Sequence, residues 1–176
     1  MDSLLNWLKC NVLLCGFLII AASACTDNST TPAFDTALQA RKDDTLIRKY
    51  VYEQMKDPNA KKDTNGVYYV LDFDTASAAY RADTGKFAFV RYTGYLLDST
   101  EFDSNVNNSR ALIFQIGLPA ASRSIIKGMD AGILKFGKGS RGRIYIPSGL
   151  AYGNTAQSKI PANSVLVFSI ELVNLE

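Results

Sequence analysis

Apolar residues recur along this chain with two periods. In the last two-thirds, most of the short runs alternate apolar and polar positions, the period of a strand with one buried face. Residues 86–97 place Val90, Tyr92 and Leu96 on one side and Phe89, Arg91, Thr93 and Tyr95 on the other. Leu112, Phe114 and Ile116 alternate with Ile113 and Gln115, and Ile144 and Ile146 alternate with Arg141, Arg143 and Tyr145. Leu166, Phe168, Ile170 and Leu172 line one face of residues 165–173, and residues 67–71 are aromatic and β-branched. Val90, Phe114, Ile144, Leu166 and Ile170 are the expected core. One stretch breaks this pattern. Ile125, Ile126, Met129, Ile133 and Leu134 recur at helical spacing, with Lys127, Asp130 and Lys135 on the opposite side. Gly128 and Gly132, four apart, share a face and allow a close approach to another element. Each lowers helix propensity by about 1 kcal/mol relative to Ala, so tertiary contact must hold this helix. Five strand runs and one short helix predict an α+β domain, an antiparallel sheet folded around the helix with a pocket where they meet.

The first third is different. Residues 34–55 carry Leu38, Leu46, Ile47, Tyr50, Val51 and Met55 in a helix-compatible pattern. The polar stretch 39–44 is expected to split it, with the better helix starting at Asp43 or Asp44 as N-cap and ending before Asp57-Pro58-Asn59. Residues 61–66 read as a charged, solvated connector closing in the turn signal Asn65-Gly66. Residues 26–33 are polar and turn-rich, a tether. Before them, an apolar run from Cys10 to Ala24 has the length of a signal-peptide core. It ends in Ala22-Ser23-Ala24-Cys25, small residues followed by cysteine. This resembles the bacterial lipoprotein box, in which the cysteine is lipidated; Ala22 and Ala24 alone would also suit simple secretion. The expected division is a lipoprotein signal peptide over 1–24, a tether and helical extension over 25–65, and the main domain over 66–176.

Composition narrows the chemistry. The chain of 176 residues is 47% hydrophobic, enough for a proper core, and its net charge of +2 gives no reason to expect a nucleic-acid partner. It contains no histidine, which removes His-based triads and His metal sites. Its three cysteines, Cys10, Cys15 and Cys25, all precede the predicted domain, which therefore has no thiol nucleophile and no disulfide.

Four motifs follow in order: Tyr92-Thr93-Gly94-x-Leu96-x-Asp98 with Phe102-Asp103-Ser104; Ile126-x-Gly128-x-x-x-Gly132; Ile146-Pro147 with Ala151-Tyr152-Gly153; and Ile160-Pro161 with 166–172. In order and spacing the set resembles the FKBP family of peptidyl-prolyl isomerases, and the signal and helical preamble resemble exported members in Gram-negative bacteria. The resemblance implies a half-barrel sheet wrapped over the helix, with a pocket that receives a proline ring. Carried over by position, catalytic roles fall to Tyr92, Phe102, Asp103, Ile126, Met129, Tyr152 and Phe168, and substrate binding to Leu112, Ile125 and Ile160. Met129 stands where the family usually has Trp, Leu112 where Phe is usual, and Asn108 where Arg is frequent. The stretch 117–124 is longer than in small family members and borders the pocket.

The implied reaction suits the missing residues. Rotation about an X–Pro bond faces a barrier of about 18–20 kcal/mol but makes and breaks no covalent bond. An apolar enclosure disfavours the polar planar amide relative to the twisted one. Tyr152 and the Ile126 N–H are the expected donors to substrate carbonyls, and Asp103 is expected to orient Tyr92. No cofactor or metal is expected. The expected partners are proline-containing clients, the family's macrolide inhibitors, and a membrane reached through lipidated Cys25. The expected location is the outer membrane of a Gram-negative cell. Two other readings stay open: a weakly active binding or chaperone module for proline-containing or extended hydrophobic segments, and a dimerisation arm in the N-terminal helix.

Overall fold

The computed structural model describes residues 34–74, 80–122 and 124–176. Cys25 and the export signal lie outside the described residues. Seven antiparallel strands form one sheet: β1 (Lys61–Lys62), β2 (Tyr68–Phe73), β3 (Phe87–Leu96), β4 (Glu101–Ser104), β5 (Leu112–Gln115), β6 (Arg141–Ile146) and β7 (Leu166–Leu175). Their order is β1-β2-β6-β7-β3-β4, with β5 also pairing to β3. Among the described residues two α-helices flank the sheet, α1 (Thr36–Arg48) and the central α2 (Lys127–Ile133). The fold class expected from the alternation is therefore observed, including the helical extension.

The side-chain alternation assigns each strand residue to one of two cores. Val90, Ile144, Ile146, Leu166, Phe168, Ile170 and Leu172 pack with Phe114, Met129, Ile133 and Phe136 on the face covered by α2. All five expected core residues are buried there. The intervening residues Tyr68, Val70, Tyr145 and Val167 form a second core with Ile47 of α1 and Val51 just beyond its end. Alternation alone gave no hint that this face would also be covered.

The helix glycines explain how α2 sits. A Cβ on Gly128 would lie 2.1 Å from Ile146 Cγ2, and one on Gly132 would lie 3.0 Å from Ile144. Both glycines therefore face β6, and the close approach expected from their spacing is made to its isoleucines. Asp130, expected on the solvent side, is buried; its Oδ1 accepts the Gly117 N–H at 2.9 Å and ties the chain just after β5 to α2.

Three further expectations are corrected. Helix α1 begins at Thr36, not near Asp43: the Asp35 side chain caps it by accepting the Leu38 N–H at 2.8 Å. Asp43 and Asp44 lie inside the helix because partners elsewhere in the fold satisfy them, Asp43 by Ser148 and Asp44 by Tyr68 and Lys62. The helix continues through wider π-type turns over Lys49–Gln54, where the Met55 N–H reaches the Tyr50 carbonyl. The charged connector is not simply solvated. Lys61 and Lys62 pair with Tyr69 and Tyr68, and Lys62 stands 5.4 Å over the Tyr68 ring. The Asp63 side chain, 2% exposed, accepts the N–H groups of Asn65 and Val67 and shapes the turn. Strand β4, the third correction, was hidden by its brevity: it is four residues with no fully buried side chain.

Gly128→Ala tests the seating of α2. The added methyl meets Ile146, which is fully buried and has no room to withdraw. The gain in helix propensity is about 1 kcal/mol, and overpacking of this kind costs about 1–3 kcal/mol. Chemical denaturation is expected to show a net loss of stability, with an unchanged m-value.

Candidate functional site

A cavity of about 440 Å³ opens between β3, β4, β5 and the start of α2. It is lined by Tyr92, Phe102, Asp103, Leu112, Ser124, Ile125, Ile126, Met129, Tyr152 and Phe168. Nine of the ten residues chosen from sequence are thus brought together from six separate segments. The tenth, Ile160, is 7% exposed, packs in the core beside Met129 and Phe168, and is not among the residues that line this cavity. Ser124 was not foreseen, since a lone serine carries no periodic signal.

Three rings form the apolar wall. Phe168 on β7 meets Tyr92 and Phe102 edge-on, with centroids 5.7 and 5.5 Å apart. Gly94 makes room for this arrangement, since a Cβ there would lie 2.5 Å from Phe102 Cζ. Met129 closes the floor with 3% exposure, and Tyr152 stands at the mouth with 41%.

Tyr92 is held more firmly than strand pairing alone would hold it. Strand β5 pairs with Phe87–Val90 and β4 with Thr93–Tyr95, which leaves a gap on that edge of β3. Asn105 fills it. Its Oδ1 accepts the Tyr92 N–H at 2.7 Å, its Nδ2 donates to the Val90 carbonyl at 3.0 Å, and its own N–H donates to the Tyr92 carbonyl at 3.1 Å. Sequence reading missed Asn105, because an asparagine in a polar stretch carries the signal of a turn and not of a strand partner. At the other end of the side chain, the Tyr92 hydroxyl donates to Asp103 Oδ2 at 2.6 Å. Burial, first, and then the hydrogen bond to Asp103 and its charge raise the Tyr92 pKa well above the ordinary tyrosine value. Tyr92 is therefore a neutral donor, fully occupied by Asp103.

Ile126 precedes the first turn of α2 with extended backbone, φ −67° and ψ 149°. Its carbonyl accepts the N–H groups of Met129 and Asp130, and its own N–H makes no hydrogen bond among the described residues. The site thus offers apolar walls, one held tyrosine, a free backbone donor and a half-exposed phenol. Among the described residues no cluster of histidine, cysteine or carboxylates could hold a metal, and no helix is long and apolar enough to cross a membrane.

Comparison with known proteins agrees with this geometry. The model of the FKBP-type peptidyl-prolyl cis-trans isomerase family matches residues 79–173. The peptidyl-prolyl cis-trans isomerase FKBP2 of Homo sapiens is 39% identical over 93 residues, 52% of this chain and 63% of that protein. The FKBP-type peptidyl-prolyl cis-trans isomerase FkpA of Aeromonas hydrophila is 33% identical over 129 residues, 73% of this chain and 45% of that protein. The chain therefore spans less than two thirds of the length of these relatives. The crystal structure of FkpA from Escherichia coli superposes with a TM-score of 0.63 at 26% identity, covering 80% of this chain and 62% of that one. A peptidyl-prolyl cis-trans isomerase structure from Pseudomonas syringae, at 24% identity and TM-score 0.63, shares the fold.

The state of Tyr92 can be read by alkaline titration. A raised folded pKa means that its contribution to stability is fully present below the unfolded value of 10.0 and is lost as pH rises through the folded value. Tyrosine absorbance is expected to show Tyr92, with Tyr68 and Tyr145, ionising above the ordinary tyrosine value of 10.0, and Asp103→Ala identifies the Tyr92 share. Asp103→Ala should bring Tyr92 only part of the way back, because burial is the larger cause.

Proposed function

This chain belongs to the FKBP-type peptidyl-prolyl cis-trans isomerase family, and from that premise we propose that it catalyses X–Pro isomerisation in exported polypeptides. The carrying observation is the apolar cavity whose walls are Tyr92, Phe102 and Phe168 over a Met129 floor. A proline ring enters between the three rings, and its amide leaves water. The planar amide, stabilised in water by resonance charge on its oxygen and nitrogen, loses that solvation, while the twisted amide loses less. Rotation is then favoured without covalent chemistry. The Ile126 N–H and the Tyr152 hydroxyl receive the substrate carbonyls and keep the peptide in register during rotation. Asp103 keeps the Tyr92 ring upright against Phe168. The same cavity suits the macrolide ligands implied by the name of the relative FK506-binding protein 2 of Dictyostelium discoideum.

The anchor belongs to the same proposal. Small residues followed by Cys25, and then a polar tether, support lipidation at Cys25 and retention at the outer membrane of a Gram-negative cell. One acyl chain binds a membrane marginally and several bind stably, so full acylation is required for retention. Intact mass of the membrane-extracted protein is expected to show acyl chains on residue 25, and Cys25→Ser should release the protein or leave it unprocessed. A mature protein beginning at Cys25 with a free thiol would overturn the anchor and leave the isomerase reading standing.

Met129 is the test of the cavity. Its flexible thioether fills the floor but fixes a proline ring less firmly than a flat aromatic face. Met129→Ala should admit water and lower kcat/KM by about one to two decades, which is ~1.4–2.7 kcal/mol of transition-state stabilisation. A protease-coupled prolyl-peptide assay measures this, with circular dichroism as the folding control because Met129 also belongs to α2. A folded Met129→Ala protein with unchanged kcat/KM would sink the enclosure mechanism. Binding of prolyl peptides without turnover by the unaltered protein would favour the binding-module reading.

A further inference from the structure

Asp43 is a fully buried carboxylate, 0% exposed, in the middle of α1. Burying a carboxylate is costly unless its oxygens are satisfied. Its Oδ2 accepts both the Ser148 N–H at 2.8 Å and the Ser148 hydroxyl at 2.7 Å. Its Oδ1 accepts the Gln39 amide at 2.8 Å. This carboxylate is fixed in space, because Ile47 and Val51 on the same helix assembly are themselves fully buried against the sheet.

Ser148 opens the 3₁₀ turn Ser148–Leu150, which leads from β6 to Tyr152. Its carbonyl accepts the Ala151 N–H at 2.9 Å and the Gly153 N–H at 2.8 Å, the two neighbours of Tyr152. The Gly153 carbonyl in turn accepts the Asn163 N–H at 2.7 Å. One residue, Ser148, is thus gripped by α1 through its N–H and hydroxyl and grips both flanks of Tyr152 through its carbonyl. Tyr152, 41% exposed at the cavity mouth, is carried on this fastened backbone.

We propose that Asp43 is a positioning residue of the substrate site, with α1 setting the place of the Tyr152 hydroxyl through Ser148. The inference rests on the isomerase reading of the cavity. It makes α1, which lies outside residues 79–173, part of the working unit rather than a spacer. Tyr152 holds substrate in the ground state and the transition state alike, so misplacing it raises KM and leaves kcat nearly unchanged.

The test is a double-mutant cycle in the full chain, using a prolyl tetrapeptide: the unaltered protein, Asp43→Ala, Tyr152→Phe and the pair. Asp43→Ala is expected to raise KM about fivefold with kcat within about twofold, and the pair should exceed Tyr152→Phe by less than about twofold. A carboxylate that merely stabilised the fold would lower Tm and the active fraction, and its effect would multiply with that of Tyr152→Phe. Multiplying effects, or an unchanged KM in a folded Asp43→Ala protein, overturn the proposal. Ser148→Ala removes only the hydroxyl bond; it carries the same cycle should Asp43→Ala not fold, with a smaller KM rise and the same criterion. Amide exchange at residues 150–153 reads the fastening without turnover. Faster exchange there in Asp43→Ala, or in Ser148→Ala where that variant carries the cycle, is expected, and unchanged exchange overturns the fastening. Absence of turnover in the unaltered protein refutes the isomerase reading instead and leaves exchange to judge the contact.

Discussion

The fit of two glycines against two isoleucines governs this molecule. Gly128 and Gly132 lie on Ile146 and Ile144 so closely that a methyl on either would require the neighbour to move. That contact sets the height of α2 above the sheet. The height of α2 sets the depth of the cavity, because Met129, adjacent to Gly128, is its floor and Ile125 and Ile126 form its near rim. A seven-residue helix with two glycines has little stability of its own, so its geometry comes from the sheet beneath it. The site is therefore as rigid as the core that seats it.

Strand β3 carries the opposite wall under a related constraint. Its edge is shared between β5 and β4, and the gap left between them falls at Tyr92. Asn105 restores the missing backbone partners there, while Asp103, two residues earlier, takes the phenol. A short segment thus secures the same tyrosine at both ends. Gly94 adds the third condition, since only a residue without a side chain lets Phe102 reach Phe168 across the strand.

The reverse face of the sheet is a second structural layer. Tyr68, Val70, Tyr145 and Val167 would be exposed apolar residues without α1. Ile47 and Val51 cover them, Asp44 bonds Tyr68, and Arg143 joins Asp57, beyond the helix end, to Asp72 of β2. The sheet is consequently covered on its reverse face around Tyr68, Val70, Tyr145 and Val167, and a displacement of α1 is felt at the segment leading to Tyr152 through Ser148.

Periodicity in the sequence determined a good deal. Alternation in residues 86–97, 112–116, 141–146 and 165–173 identified strands and the face of each turned toward α2, because a strand's side chains can only alternate. The Gly-x-x-x-Gly spacing in α2 announced a close packing partner, and the motif order from Tyr92 to Phe168 marked nine of the ten lining residues of the cavity. Contacts between distant residues decided the rest. Asp35 rather than Asp43 caps α1 because Asp43 has a better partner 105 residues away, which no local pattern can reveal. Ile160 packs into the core beside Met129 and Phe168, a placement that a loop residue takes from its neighbours rather than from its local pattern. Asn105 became a strand surrogate only once β4 and β5 had divided an edge of β3. Local sequence sets which conformations are cheap, whereas the satisfaction of buried polar groups is settled only when the whole chain has closed around them.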